Sequence, residues 1–521
     1  MRPTRREFLL HVLATAAACG DNNSAGDSST TDANTTTDDP TTGDTPTTGE
    51  PVLAYPFTLG VASGDPLPDS VILWTRLAPE PLVVGGGMPG SVRVTWEVYV
   101  DENLTTVVAS GELDTDPALA HAVHVEVRGL DPDRWYTYRF HAAGHSSPIG
   151  STRTTPALTA KPAGMRFATA CCQDYSDGYP TPYLHMVDQQ LDLVIFLGDY
   201  IYENDDTHVR SHGTPEPRTL DEYRARHALY RTQPELQAVH ARCPWVFLWD
   251  DHAVENNYVG ANPKQPDPDF LARRAAAYRA YYEHTPLRLP PPTGPDYQTY
   301  HALRWGDLAE FWLVDTRQYR DDQNCGGDPG SGCDGWQDYA GQVLGAEQEA
   351  WLMQGMKASP AVWKVLTNQI VFSTVSFGGL FVNFDQWDGY PLARQRLLDF
   401  FAAEALSNVV ILSGDLHVGG VADLGQDAVD DDSPVIAAEI VTTSISSPSL
   451  DDASQIGPLL EGLKRIHHFD AVSRGYALHT LTRAQWQVDC VIVDTVAEPA
   501  SAGKIDATLH IDAGVPGIRP A

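Results

Sequence analysis

The sequence predicts a multidomain chain: an all-β sandwich of fibronectin or immunoglobulin type over 53–155, then a layered α/β domain over 163–495. Three observations predict it. Residues 55–155 break into short runs rich in Val, Tyr, Trp and Thr, several of them alternating, with turn residues (DPLPDS, DPDR) between. After 163 the pattern changes to unbroken apolar runs separated by polar loops and helical segments, as expected of strands buried on both faces. Several of those apolar runs end in Asp, Asn, His or Cys side chains.

The segments before the sandwich carry address rather than fold. Thr4-Arg5-Arg6-Glu7-Phe8-Leu9 looks like a twin-arginine export signal, and the apolar stretch Phe8–Ala18 is too short to span a membrane. Ala16-Ala17-Ala18-Cys19 resembles a lipoprotein cleavage site, so 1–19 is expected to be a signal peptide and Cys19 the site of lipid attachment. Residues 20–52 are almost entirely Ser, Thr, Asp, Gly, Pro and Asn, which cannot bury a core and read as a disordered tether. An exported protein of the cell envelope, touching membrane only through its anchor, is the expectation.

Composition narrows the partners. The 521 residues hold 69 Asp+Glu against 35 Lys+Arg, a net charge of −34. That disfavours nucleic acid, whose phosphates need Lys and Arg patches, although bound cations can reverse a local field. Cys325 and Cys333 flank a Gly/Asp/Pro loop and can close a disulfide in an oxidising compartment, while Cys243 and Cys490 lie on apolar segments and read as buried thiols.

Within the sandwich the runs are VILWTRL, VRVTWEVYV, VVASGEL, AVHVEVRGL and WYTYRFHAA, with no cluster of titratable groups. After the connector 151–164, helices are predicted over Tyr183–Gln190, Leu220–Ala228, Pro234–His240, Phe270–Tyr282, Gly345–Met356 and Leu392–Ala405. Loops 204–219 and 321–338 are rich in Gly, Pro and Asp and read as site walls or as insertions. His467-His468 is expected on the surface of a helical stretch, and 496–521 as a C-terminal tail without chemistry.

The strand ends carry the chemistry. LDLVIFLGDYIYE (Leu191–Glu203) ends in Gly198-Asp199, with Tyr202 three residues on. WVFLW ends in Asp250-Asp251-His252, WKVL in Thr367-Asn368-Gln369, VVIL in Ser413-Gly414-Asp415-Leu416-His417, and MRFATA in Cys171-Cys172. Open α/β sheets bind their ligands beyond these carboxyl ends. A two-cation hydrolase needs a bridging carboxylate with terminal ligands on either side, and Asp199 is the natural bridge. Cys172 as thiolate and Tyr202 as phenolate favour a trivalent ion, with His417 adding an imidazole. Asp251, Asn368 and Asp415 are all oxygen donors, which suits Ca2+ or Mg2+ better than zinc. Arg317 and Arg320 read as salt-bridge partners or as phosphate ligands; His208 and His212 lie on the long loop.

Taken in order, Phe57–Pro79, GDYIYE, WDDH, DTRQYR (Asp315–Arg320), Asn368-Gln369, WDGY (Trp387–Tyr390) and SGDLH resemble the PhoD family of secreted alkaline phosphatases and phosphodiesterases, related to the purple acid phosphatases. The resemblance runs from Phe57 to about Tyr476. It implies an αββα metallophosphoesterase domain, Fe3+ held by Cys172, Asp199, Tyr202 and His417, and Ca2+ sharing Asp199 with Asp251, Asn368 and Asp415. By the same analogy His252 assists at the phosphate or leaving group, with Asp199 the other catalytic residue and Asp250 behind the ligands. Two positions depart from the family pattern. Ala253 stands where Glu usually follows DDH, and Cys171 stands where Ser usually precedes the ligand cysteine; Cys172, followed by Gln173, is the better match. Cys171 is left to pair with Cys490 or stay buried.

The expectation is an extracytoplasmic, monomeric, metal-dependent hydrolase in which a metal-bound hydroxide attacks a small phosphate ester bridged by the two cations. The residues do not choose among monoester, diester and phospholipid. A phospholipase D-like diesterase and a catalytically inactive surface-binding lipoprotein are the alternatives; a two-zinc nuclease is disfavoured by Tyr202, Cys172 and the few histidines.

Overall fold

The computed structural model describes residues 54–327, 329–374, 382–448 and 464–521. The export signal, Cys19 and the tether lie outside them.

Two sheets face each other at the centre. One has ten strands, in the order Ile518–Pro520, Gly503–Asp512, Gln485–Val493, Arg474–Thr482, Gly164–Ala170, Leu193–Phe196, Trp245–Phe247, Val61–Gly64, Ser70–Arg76, Ala122–Arg128. The other has seven, in the order His301–Trp305, Ala309–Leu313, Trp363–Thr367, Val409–Ser413, Val435–Val441, Gly419–Gly425, Ile466–Asp470. Unbroken apolar runs are what such strands require, because both faces are covered. In the first sheet Leu193, Ile195, Phe167 and Val246 point to the second sheet, while Val194, Phe196, Trp245 and Phe247 point the other way. There they meet helices Leu220–Arg231, Pro234–His240 and Phe270–His284 through Tyr223, Tyr230, Leu236, Val239 and Tyr278. The second sheet likewise turns Val365, Val410 and Leu412 inward, and Leu366 and Ile411 outward onto helices Gly345–Ala358 and Pro391–Ala403. The layers are helix, sheet, sheet, helix. Each fully buried Leu, Val or Phe contributes about 1.5–3 kcal/mol of transfer free energy.

The N-terminal region is not a self-contained sandwich. A five-stranded sheet (Val107–Thr115, Val92–Tyr99, Trp135–Ala142 and His145–Ser146, with Gly150–Arg153 on Trp135–Ala142) supplies one layer. The facing layer is the edge of the ten-stranded sheet, through Val61, Val71, Leu73, Val123 and Val125. The join is made at Gly64, which pairs with Trp245. A Cβ there would come within 2.5 Å of the Pro286 carbonyl and 2.8 Å of that of Trp245, so only glycine allows the approach.

Three further expectations change. The segment 496–521 is no tail: Gly503–Asp512 and Ile518–Pro520 extend the ten-stranded sheet and bury Leu509, Ile511 and Ile518 between the layers. His467-His468 lies on strand Ile466–Asp470 rather than a helix. The helix expected over Tyr183–Gln190 is only Pro182–Met186. Cys325 and Cys333 form a disulfide, Cys243 is a buried thiol, and Cys171 and Cys490 are both unbridged, Cys490 only half-buried. Among the described residues no helix is long and apolar enough to cross a membrane.

The core also stores neutral histidines. Burial holds His124 down to about 4 and His479 to about 3, and burial together with Arg231 and Arg76 holds His227 to about 3. In the unfolded chain these rings take up protons near 6.5. The unfolded state then binds more protons than the folded one between those values, so stability falls as pH drops from 6.5 toward 3–4. Denaturant midpoints measured from pH 7.5 to pH 4.5 should decline steadily below pH 6.5; a flat profile would contradict this assignment of the buried rings.

Candidate metal centre

The parallel strands of both sheets end at one place. Gly164–Ala170, Leu193–Phe196 and Trp245–Phe247 run parallel in one sheet, as do Ala309–Leu313, Trp363–Thr367, Val409–Ser413 and Val435–Val441 in the other. The turns beyond them are strained. Cys172, Asp199, Asp415 and His417 have φ of 55°, 56°, 64° and 58°, a region that L side chains seldom adopt. Such outliers cluster where surrounding structure holds side chains for a function. Gly198 has φ 132°, and a Cβ on it would sit 2.7 Å from that of Asp250. Gln369 ties the turns together, donating to the carbonyls of Trp249 and Val314, each at 2.9 Å.

Two groups of side chains share Asp199. On one side Cys172 Sγ lies 3.6 Å and Tyr202 Oη 3.3 Å from Asp199 Oδ2, and Tyr202 Oη is 3.0 Å from His417 Nε2. His417 Nδ1 donates to the Pro448 carbonyl at 2.7 Å, which makes Nε2 the nitrogen with the lone pair, turned toward Tyr202 Oη. Cys171 turns away, its sulfur on the Thr442 and Thr443 carbonyls. Of the adjacent pair, then, Cys172 faces the cluster. On the other side, carboxylate oxygens of Asp199, Asp250, Asp251 and Asp415 lie within 4.8 Å of one another. Asn368, just past the strand Trp363–Thr367, is pinned by its own bonds, Nδ2 donating to Leu412 O and Ser413 Oγ and Oδ1 accepting from Trp387 Nε1 at 2.9 Å. Its oxygen keeps a second lone pair. His252 joins Asp199 and Asp251 in a third group, its Nδ1 2.6 Å from Glu203 Oε2.

Of the two readings of Arg317, the structure bears out the salt-bridge partner: it is the cation at the centre of these acids. Arg317 is wholly buried. Its Nε bonds Asp250, and its terminal nitrogens lie 2.9 Å from Asp385, 3.2 Å from Asp415 and 3.6 Å from Asp251. Arg317 is therefore a salt-bridge hub, and Arg320 pairs with the same Asp385 at 2.8 Å. Loop 321–338 reaches the hub through Gln323, which donates to Asp385. Loop 204–219 is held to helix Leu220–Arg231 by Arg226 on the carbonyls of Asn204 and Pro215. His208 pairs with Asp177 and His212 packs on Tyr230, both outside the three groups.

One arginine does not neutralise this many acids. Burial, then the Asp251 carboxylate, pushes Asp199 well above the ordinary range; burial, then Asp250, does the same to Asp415. Burial also lifts the Cys172 thiol and the Tyr202 phenol and holds the His417 ring down to about 4. For Asp251, burial is outweighed by Arg317, His252 and two backbone N–H groups, and the carboxyl sits below its usual range. Among the described residues, Asp199 Oδ1 and Asp250 Oδ2 are buried without a hydrogen-bond partner. Unpartnered buried oxygens near a thiol, a phenol and an imidazole lone pair fit bound cations.

Comparison with known proteins follows the same residues. Residues 167–490 match the family described as PhoD-like phosphatase, and 44–156 match the PhoD-like phosphatase N-terminal domain. The chain belongs to the PhoD-like phosphatase family. It is 45% identical over 484 residues to alkaline phosphatase D of Bacillus subtilis (strain 168), covering 89% of this chain and 82% of that protein. A solved structure titled "Structure of PhoD" matches with a TM-score of 0.86 and 44% identity, covering 90% of this chain and 92% of that one. Like that relative, this PhoD-like phosphatase is a phosphoric ester hydrolase of the alkaline phosphatase D type.

Removing one partner of a buried ion pair strands the other, at a cost of about 3–5 kcal/mol. Arg317→Met should lower the stability of the metal-free protein by that order in denaturant titration. An unchanged midpoint would show that Arg317 does not hold the acids together.

Proposed function

We propose that this PhoD-like phosphatase is an exported, lipid-anchored hydrolase of small phosphate esters that works on two unlike cations. Fe3+ would be held by Cys172, Asp199, Tyr202 and His417, and Ca2+ by Asp199, Asp251, Asn368 and Asp415. The observation that carries the reading is the Asp199 carboxylate: Oδ2 faces the thiol and phenol, Oδ1 is buried with no hydrogen-bond partner among the described residues, and the carboxylate also gathers with those of Asp250, Asp251 and Asp415. Soft and phenolic donors on one side with oxygen donors on the other select two different ions. Bound there, such ions neutralise phosphate charge and acidify a water.

The chain's own residues hold the geometry. Strand-end turns fix the ligands, Arg317 and Gln386 orient Asp415, and Trp387 orients Asn368. His252 stands next to Asp251 with Nε2 free to reach a leaving oxygen. Catalysis of phosphoryl transfer is then mostly positioning and charge compensation. The net charge of −34 slows approach of polyanions and favours small esters. Cys19 would anchor the folded body to a membrane through the tether 20–52, and a monomer suffices because every group of the site comes from one chain.

The test is metal content read beside turnover. Protein exported in folded form should contain iron, absorb visible light through thiolate or phenolate charge transfer, and hydrolyse p-nitrophenyl phosphate. Asp199→Asn should lose both the colour and at least about 1,000-fold in kcat, the order attached to one electrostatic stabiliser. Colourless, iron-free protein with full activity would refute the assignment.

A further inference from the structure

Glu203 closes the stretch that supplies Asp199 and Tyr202, and nothing above gives it a task. It is 4% exposed, and both of its oxygens are committed. Oε2 lies 2.6 Å from His252 Nδ1, and Oε1 accepts the Asn256 backbone N–H at 2.7 Å. The His252 ring is also covered on one face by Tyr202, with ring centres 4.1 Å apart and 30° between planes. The imidazole is thus gripped at one edge by a carboxylate and on one face by an aromatic ring. A carboxylate accepts only, so the nitrogen facing it carries the proton, and Nε2 is the atom left over. That ring belongs to the group that gathers on Asp199 and Asp251. No carboxylate stands at the position directly after His252, which is Ala253.

We propose that Glu203 is the positioning residue for His252: it fixes the ring's orientation and its Nδ1–H form so that Nε2 faces the leaving oxygen of the bound ester. This rests on the hydrolytic reading given above. In the step it serves, a bond forms between the oxygen of water and phosphorus while the ester P–O bond breaks. The released electron pair stays on the leaving oxygen, which takes the Nε2 proton of a His252 ring protonated on both nitrogens against the Glu203 carboxylate, leaving the neutral Nδ1–H ring. The ring recovers a proton from solvent, matching the one that the attacking water gives up. The help matters most when the leaving alcohol is weakly acidic, since p-nitrophenolate leaves without a proton. In Glu203→Gln the amide oxygen still accepts from Asn256, so the loop keeps its anchor. The amide nitrogen then faces Nδ1 and donates to it, which removes the charged partner and reverses the ring's hydrogen-bond polarity.

The experiment compares p-nitrophenyl phosphate with phenyl phosphate in the metal-loaded full-length enzyme, for wild type, Glu203→Gln, His252→Ala and the double variant. Glu203→Gln should lose under about 10-fold in kcat on the nitrophenyl ester and about 100-fold or more on the phenyl ester, within the range of general acid–base catalysis. KM, metal content and melting temperature should stay at wild-type values. His252→Ala should show the same dependence on leaving group, and adding Glu203→Gln to it should cost nothing further. Equal losses on both esters, additive losses in the double variant, or a loss that tracks departure of metal would each overturn the positioning role. A wild-type enzyme that hydrolyses neither ester would instead overturn the hydrolytic reading itself.

Discussion

The structure is organised around an electrostatic problem. Asp199, Asp250, Asp251 and Asp385 are buried, with the partly buried Asp415 beside them, and Arg317 is the cation that bonds most of them. Two like charges 4 Å apart repel by about 4 kcal/mol at an effective dielectric of 20. Several such contacts, with a thiol and a phenol added, exceed what Arg317 and a charged His252 can offset. Positive charge from outside the polypeptide is what such a site requires, and Asp199, with an unpaired buried oxygen, is where it is required most.

The fold exists to impose that crowding. Strands covered on both faces end without freedom to move, so the turns beyond them can be held in left-handed conformations at Cys172, Asp199, Asp415 and His417. Glycine at 198 lets the Asp199 and Asp250 turns touch, and Gln369 bonds the neighbouring strand ends together. Strain of this kind persists only where the surroundings over-determine it, and two packed sheets with helices outside provide such surroundings. The N-terminal sheet adds to this by building on the edge of the same central sheet at Gly64, so that it extends the scaffold rather than hanging from it.

Much of this could be read from residue order. Unbroken apolar runs stopping at Asp199, Asp250-Asp251, Asn368 and Asp415 announce buried parallel strands, and the four aspartates do converge. Arg317 was harder, because an arginine in a turn has no local pattern that separates a salt-bridge hub from a phosphate ligand. Asp385 ends none of the apolar runs singled out in the sequence and gave no signal. Glu203 sat in plain view within GDYIYE, but its partner is 49 residues away and only tertiary structure brings them together. Alternation in 55–155 shows that strands have one buried face; it does not say which sheet they join, so VILWTRL and AVHVEVRGL read as part of a separate sandwich although they belong to the central sheet. The alternation of IDATLHID was likewise visible without its partner, the strand Gln485–Val493.

Anomalous diffraction from crystals of the exported protein, recorded above and below the iron edge, tests the central claim most directly. The account predicts one iron peak bounded by Cys172, Tyr202 and His417, a second, non-iron cation beside Asp251, Asn368 and Asp415, and the Asp199 carboxylate between them. A centre with no iron signal, or Asp199 touching only one ion, would contradict it.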